Sequence, residues 1–450
     1  MNHISFPDQR HSRIAVVGTG IAGMSAAWLL NQRHHITVYE KNDWIGGHSN
    51  TVDAPNGEDK TPVDTGFIVY NERSYPNLIA LFDHLDVPTK FSDMSFAASL
   101  GGGAFEYAGT DLNGLLGQRS NIVRPRFWRM MRDVLKFYKE APALLDDPTA
   151  GQLSLGDFLR NGNYSWSFID DHLLPMGAAI WSTTAPEMED YPAQAFIRFF
   201  ESHGLLLLKN RPRWRTVDGG SRAYVERLTA SYRDRIRKTG VKAIKRFTDQ
   251  VVIEDNDGEM ETYDHVVIAS HADEAYRLLD NPDFRETELL GTWRYTNNRA
   301  VLHSDQSLMP KRQRLWSSWN FIERDQGGPD RGLCVTYWMN QLQSLRTQAP
   351  LFVTLNPVHE PVAGTVIREF DYTHPYFDRT ALTSQGQLWR LQGHRRTWYC
   401  GSYFGYGFHE DALQSGLAVA EQLGGLRRPW SVNGENGRIH LHPNAEVTAA

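Results

Sequence analysis

Cysteine is nearly absent from this chain of 450 residues: only Cys334 and Cys400 occur. Two thiols so far apart build neither a disulfide framework nor a zinc cluster, and a reducing compartment is expected. No apolar run approaches ~18 residues, so no spanning helix is expected. The opening MNHISFPDQRHSR lacks an apolar core, so no secretory leader is expected either. Excess positive charge is missing too. The net charge is −6, and without a global basic field nucleic acid is not an expected partner. The 17 histidines show no ligand spacing, so no metal is expected. Repeats and low-complexity tracts are absent. These exclusions leave a globular, cytoplasmic protein, long enough for two domains. Aromatics are somewhat abundant, with 13 Trp, 18 Tyr and 21 Phe, which fits either wide apolar pockets or a large core.

Against these absences stands one dense stretch, Arg13–Glu40, RIAVVGTGIAGMSAAWLLNQRHHITVYE. Ile14–Val17 reads as a buried strand, Gly18-Thr19-Gly20-Ile21-Ala22-Gly23 matches G-x-G-x-x-G, Met24–Leu30 has helical composition, and Ile36–Tyr39 reads as a second strand ending in Glu40. Gly18 permits the tight turn, Gly20 lets the backbone approach a pyrophosphate, and Gly23 lets helix and strand pack closely. The pyrophosphate is expected on the helix N-terminus, over Gly20, Ile21 and Ala22, where free N–H groups favour negative charge. Glu40, with Lys41 beside it, lies at the distance expected for the acid that takes the ribose hydroxyls.

Further glycine turns follow in a recognisable order. Gly46-Gly47-His48 comes soon after the acid, and Val63-Asp64-Thr65-Gly66-Phe67 comes next. Val217-Asp218-Gly219-Gly220-Ser221 precedes a helical segment, Val241 opens a strand, and TWYCGSYFGYGFHEDALQSG closes the series from Thr397. This order resembles the FAD-dependent amine oxidase and phytoene desaturase superfamily across nearly the whole chain. The resemblance implies an α/β fold: a Rossmann-like FAD-binding domain from residues 1–75, 212–285 and 390–426, interleaved with a mixed α+β substrate domain from 76–211 and 286–389. Residues 427–450, polar and turn-rich, are expected to be a loosely held tail. FAD is the implied cofactor. By resemblance Gly46, Gly47 and His48 approach the phosphates, although the family usually has Arg where His48 stands. Gly66 and Phe67 approach the flavin ring, Val241 meets the adenine, and Gly401, Ser402, Phe408 and His409 close the site. The helix starting at Phe408 or His409 would point its positive end at the charge that develops on the flavin pyrimidine. Glu410 and Asp411 read as acids complementing that helix start.

The strings GFHEDALQSG, YTHPYFD (Tyr372–Asp378) and VDTGFIVYNERSYPNL (Val63–Leu78) are similar to a narrower branch. It comprises bacterial flavoproteins related to the oxidase-like domain of plant cyclopropane fatty acid synthases. That similarity implies transfer of a hydride to flavin N5 from a membrane-lipid acyl chain, in a desaturation or isomerisation. An amine or polyamine oxidase and a non-catalytic FAD-binding partner of a lipid methyltransferase are the alternatives. His409, His374 and Glu369 are the candidate bases. Arg119–Tyr138 is expected to contain a basic amphipathic helix. Phe127, Met130, Met131, Val134, Leu135 and Tyr138 share one face, while Arg129, Arg132, Lys136 and Lys139 fall on the other. Such a helix can pack on the core with a solvated basic face, or dock peripherally on the inner membrane surface.

Overall fold

Ile14, Ala15 and Val16 are wholly buried, and β-branched residues covered on both sides belong in a central parallel strand. The structure is a computed structural model that describes residues 11–147, 153–182, 184–323 and 334–441. It places Arg13–Val17 in the middle of a five-stranded parallel sheet. The order is Ile236–Arg237, His35–Tyr39, Arg13–Val17, His265–Ile268 and Thr397–Tyr399, so strands distant in sequence form one sheet.

The helix Ile21–Leu30 starts directly from the glycine turn, and all its residues are buried. The C-terminal helix His409–Gly424 covers it, which is why it shows no polar face. Gly416 sets that packing: a Cβ there would lie 2.2 Å from the Ala22 carbonyl oxygen. A three-stranded antiparallel sheet, Val241–Arg246, Val251–Asp255 and Met260–Tyr263, flanks the parallel one.

The second large sheet has seven strands, in the order Val366–Tyr376, Arg294–His303, Phe352–Leu355, Val335–Trp338, Trp319–Ile322, Phe96–Leu100 and Phe105–Ala108. Only the Trp319–Ile322 and Phe96–Leu100 pair is parallel. Helices fill most of the chain from Leu112 to Ser202, including Pro125–Glu140 and Ala193–Ser202. Among the described residues no helix is long and apolar enough to cross a membrane.

The tail is a correction. Arg428 is only 2% exposed, and its guanidinium spans both Glu421 oxygens at 2.8 and 2.9 Å and reaches Asn77 Oδ1 at 2.9 Å. Trp430 stacks on Trp28, ring centroids 5.9 Å apart. Arg438 pairs with the buried Asp411 at 3.3 Å and donates to the Ser74 carbonyl. Polar composition looked like a solvated end, but its arginines are the counter-charges of carboxylates that the core would otherwise leave uncompensated. Residues 442–450 lie outside the described residues.

Candidate functional site

The first glycine turn is shaped by contact on one side and open space on the other. A Cβ on Gly23 would lie 2.0 Å from the Gly18 carbonyl oxygen, whereas one on Gly20 would meet nothing within 4 Å. Gly20 caps the helix Ile21–Leu30 with no side-chain hydrogen bond, and no acid sits in the first turn. The N–H groups of this turn therefore face the open side and can hold an anion. Gly47 closes in from the second turn, where a Cβ would lie 3.1 Å from Gly20 Cα. Glu40, 4% exposed, accepts hydrogen bonds from Thr19 N at 3.1 Å and Asn42 N at 2.8 Å, which fix its carboxylate at the end of the second strand. Lys41 is exposed and ion-paired with Glu274, and Gly240, one residue before Val241, packs on the Lys41 side chain.

Asp64 joins three distant segments. Its oxygens accept from Thr51 Oγ1 at 2.6 Å, Ser221 N at 2.8 Å, Ser221 Oγ at 2.7 Å and Gln343 Nε2 at 2.8 Å. This buried carboxylate thereby locks the Val63–Phe67 stretch to the Gly219-Gly220 turn. Gly66 is held against the His48 carbonyl, which also accepts the Phe67 N–H at 2.7 Å.

Histidines and aromatics meet beyond Gly66. His409 stacks face to face on Phe67 at 3.7 Å, and its Nε2 lies 3.0 Å from Ser49 Oγ and 2.9 Å from Tyr224 OH. His48 stacks on Tyr372 at 4.9 Å and lies 5.3 Å from the His374 ring. Phe408 stacks on Phe199 at 4.7 Å, with Trp181 at its edge. Burial keeps these imidazoles neutral: it lowers His409 to about 3 and His374 to about 4, and pushes His48 well below its usual value. The His48 Nε2 is buried with no partner among the described residues. An orphaned polar nitrogen beside an uncapped helix start and a glycine cradle fits a large polar group such as FAD.

Gly46 donates its N–H to Thr19 Oγ1 at 3.1 Å, tying the second turn to the first. Gly401 and Ser402 lie where the last strand of the parallel sheet ends, and the Gly401 N–H donates to Ser415 Oγ at 2.9 Å. The Phe408 N–H is taken by Asp411 at 2.8 Å, so Asp411 caps its own helix as expected. Glu410 does not serve that helix start. It accepts from Asn77 N at 3.1 Å and Leu78 N at 3.0 Å, capping the neighbouring helix Pro76–His84. Burial raises the Cys400 thiol, which stays protonated and unreactive.

Two candidate bases need correction. Glu369 stands on an exposed stretch of strand, bound to Arg299 at 3.0 Å, far in character from the buried cluster. It lies on the edge strand Val366–Tyr376, where Arg368 and Glu369 are both exposed, and the sequence alone does not mark that edge. His374 joins the cluster, but a relay fixes its proton. The Arg299 backbone N–H donates to Asn356 Oδ1 at 2.9 Å, Asn356 Nδ2 donates to Asn298 Oδ1 at 2.8 Å, and Asn298 Nδ2 therefore donates to His374 Nδ1 at 3.1 Å. Neutral His374 then carries its proton on Nε2 and acts as a donor. Sequence reasoning missed Asn298, Ser49, Tyr224, Tyr372 as a stacking partner, and His271, which stacks on Tyr295 at 4.4 Å. Only Tyr372 stood in a string already singled out.

An uncapped helix start, converging glycine turns and a closing C-terminal helix define a dinucleotide-binding oxidoreductase. The model of the family of flavin-containing amine oxidoreductases matches residues 21–341, and the chain belongs to that family. It is a FAD-dependent oxidoreductase. No curated protein matches it in sequence. Among solved structures it is similar to a CLA-producing fatty acid isomerase from P. acnes, with 16% identity, a TM-score of 0.64, and coverage of 93% of this chain and 99% of that one. It is similar to putrescine oxidase bound to putrescine, with 15% identity, a TM-score of 0.64 and coverage of 92% and 99%. Cyclohexylamine oxidase from Brevibacterium oxydans IH-35A has 14% identity, a TM-score of 0.61 and coverage of 92% and 100%. At these identities the likeness establishes the fold.

Proposed function

We propose that the chain oxidises or isomerises a fatty acyl chain of a membrane lipid. The observation that carries this reading is the uncharged wall around His409. Phe67 stacks on its ring and Tyr224 meets it edge-on, the adjoining Phe408 packs against Phe199 and Trp181, and its imidazole is neutral. The carboxylates that follow it in the chain are spent elsewhere, Glu410 on the helix Pro76–His84 and Asp411 on Arg438 and the Phe408 N–H, and the buried Asp64 is held by Thr51, Ser221 and Gln343. A cationic amine would find no free carboxylate there, whereas a methylene chain needs none.

When bound, FAD supplies a hydride acceptor at N5. In this reading Gly20, Ile21, Ala22, Gly46 and Gly47 would hold its pyrophosphate, Gly18 and Gly23 would shape the turn beneath it, and Glu40 would hold its ribose. Val241 and Lys41 would border the adenine, His48 would lie between the phosphates and the ring, and Gly66, Phe67, Gly401, Ser402, Phe408 and His409 would border the ring. The aromatic wall excludes water and orients the chain. His374 offers an N–H, and His409 is the remaining histidine to test as a proton carrier. The test is anaerobic mixing of the purified yellow protein with phospholipid dispersions, with absorbance followed near ~450 nm. Bleaching by unsaturated phospholipid, or a shifted double bond in the recovered lipid, is expected. Bleaching by putrescine or cyclohexylamine and not by lipid overturns the reading in favour of amine oxidation. No bleaching by either and no shifted double bond, with FAD tightly held, leaves the non-catalytic partner of a lipid methyltransferase.

A further inference from the structure

The segment 112–139 has a charge opposite to that of the whole chain. It holds seven Arg and Lys against one carboxylate, Asp133, in a chain of net charge −6. It also exposes apolar side chains: Val123 is 81% exposed, Leu112 76%, Trp128 53%, Leu135 51% and Ile122 46%. The helix Pro125–Glu140 has already spent an inward face, since Phe127, Met130, Val134 and Phe137 are buried. Leu135, expected on that face, instead points outward. Along the outer side run Trp128, Arg132, Leu135 and Lys139, all exposed, at spacings of four, three and four residues. The Trp128 indole N–H donates to the Ile122 carbonyl at 2.8 Å, joining this stripe to the exposed turn Arg119–Val123. Arg126 turns inward to Asp171, and Arg132 contacts Asp133 yet keeps most of its surface in water. Arg119, Arg129 and Lys139 are exposed and form no ion pair among the described residues.

The two properties together select the partner. A polyanion such as nucleic acid satisfies the cations but gains little from exposed Val, Leu and Ile. An anionic bilayer takes both, with phosphates against guanidinium groups and the apolar side chains at the headgroup boundary. We propose that residues 112–139 form a docking face for an anionic lipid surface. The inference rests on the acyl-chain reading for its purpose, which is to seat the protein on the membrane that carries its substrate.

The experiment is flotation of the full-length, FAD-loaded protein with vesicles of phosphatidylcholine alone or mixed equally with phosphatidylglycerol. Binding is expected only to the anionic vesicles, weakening as salt rises. The double variant R119E/R129E is expected to lose that binding by tenfold or more. V123S/W128S is expected to weaken it several-fold even at low salt. Both variants are expected to keep the flavin spectrum; R119E/R129E is expected to keep the melting temperature as well, and V123S/W128S to lower it slightly because Trp128 gives up its bond to the Ile122 carbonyl. Absence of vesicle binding, equal binding to both vesicle types, or binding untouched by either variant overturns the proposal. So does binding to duplex DNA that outcompetes anionic vesicles and ignores V123S/W128S. Lipid-dependent bleaching in detergent without vesicle binding overturns docking and leaves the acyl-chain reading standing. Vesicle binding with neither bleaching nor a shifted double bond does the reverse.

Discussion

At the pyrophosphate end of the proposed FAD site the walls are main chain, and at the ring end they are side chains. Gly18, Gly20, Gly23 and Gly47 shape the first by what they lack, with a Cβ forbidden at Gly23 and open space above Gly20. The second is assembled by His48, Phe67, Tyr224, Tyr372, His374 and His409, which stack and hydrogen-bond across hundreds of residues of sequence. Backbone recognition demands residues at fixed local spacing. A side-chain cluster demands only that the fold deliver each ring, and many residue types at many positions can do so.

The sharpest way to break this comparison is at the backbone end. Gly23→Ala is expected to cost about 4 kcal/mol or more, because the neighbour at 2.0 Å is backbone and cannot step aside. The protein should come out colourless with a strongly lowered melting temperature. Gly20→Ala separates recognition from folding. Its apoprotein stability should stay within about 0.5 kcal/mol of the parent, since nothing lies within 4 Å. FAD affinity should fall about tenfold or more, equivalent to about 1.4 kcal/mol. If titration shows equal FAD affinity, the cofactor does not cross that turn.

Comparable to Gly23→Ala is Arg438→Ala, which leaves Asp411 buried without its cation and should cost about 3–5 kcal/mol in urea unfolding. At the ring end the effect should be one of pH. His374 and His409 titrate at about 4 and about 3 in the folded protein, below their ordinary 6.5. A depressed folded value means that their contribution is full above about pH 6.5 and is lost as pH falls through 4 toward 3. The melting temperature should decline over that window, and His374→Gln should make the decline shallower. A flat profile would place these rings in contact with water. Smallest of all is Glu369→Gln. It loosens an exposed pair with Arg299, and stability should move by less than about 1 kcal/mol with FAD binding unchanged.

The same contrast explains what could be read from residues alone. The first strand, the glycine turn, the helix behind it and the acid were legible because local spacing encodes them. So were the closing strand and the C-terminal helix. Asn298, Ser49 and Tyr224 were not, because a single polar residue in a strand or loop carries no sign of the partner it meets. Glu369 misled because its charge was visible while the exposure of its side of the strand was not. The tail misled because Arg428 and Arg438 read as solvated until their partners, the half-buried Glu421 and the buried Asp411, are seen. Helix 125–140 was half legible: its core side followed from periodicity, but Leu135 fell outside it.

The order of the parallel sheet has a consequence for biosynthesis. Its strand Thr397–Tyr399 is added at one edge, and the helix that follows lies across the helix rising from the first glycine turn. The glycine turn leaves the ribosome well before the helix His409–Gly424. The helix Ile21–Leu30 therefore stays without its cover, and the close approach of Gly416 to Ala22 stays unmade, until that later helix has been synthesised.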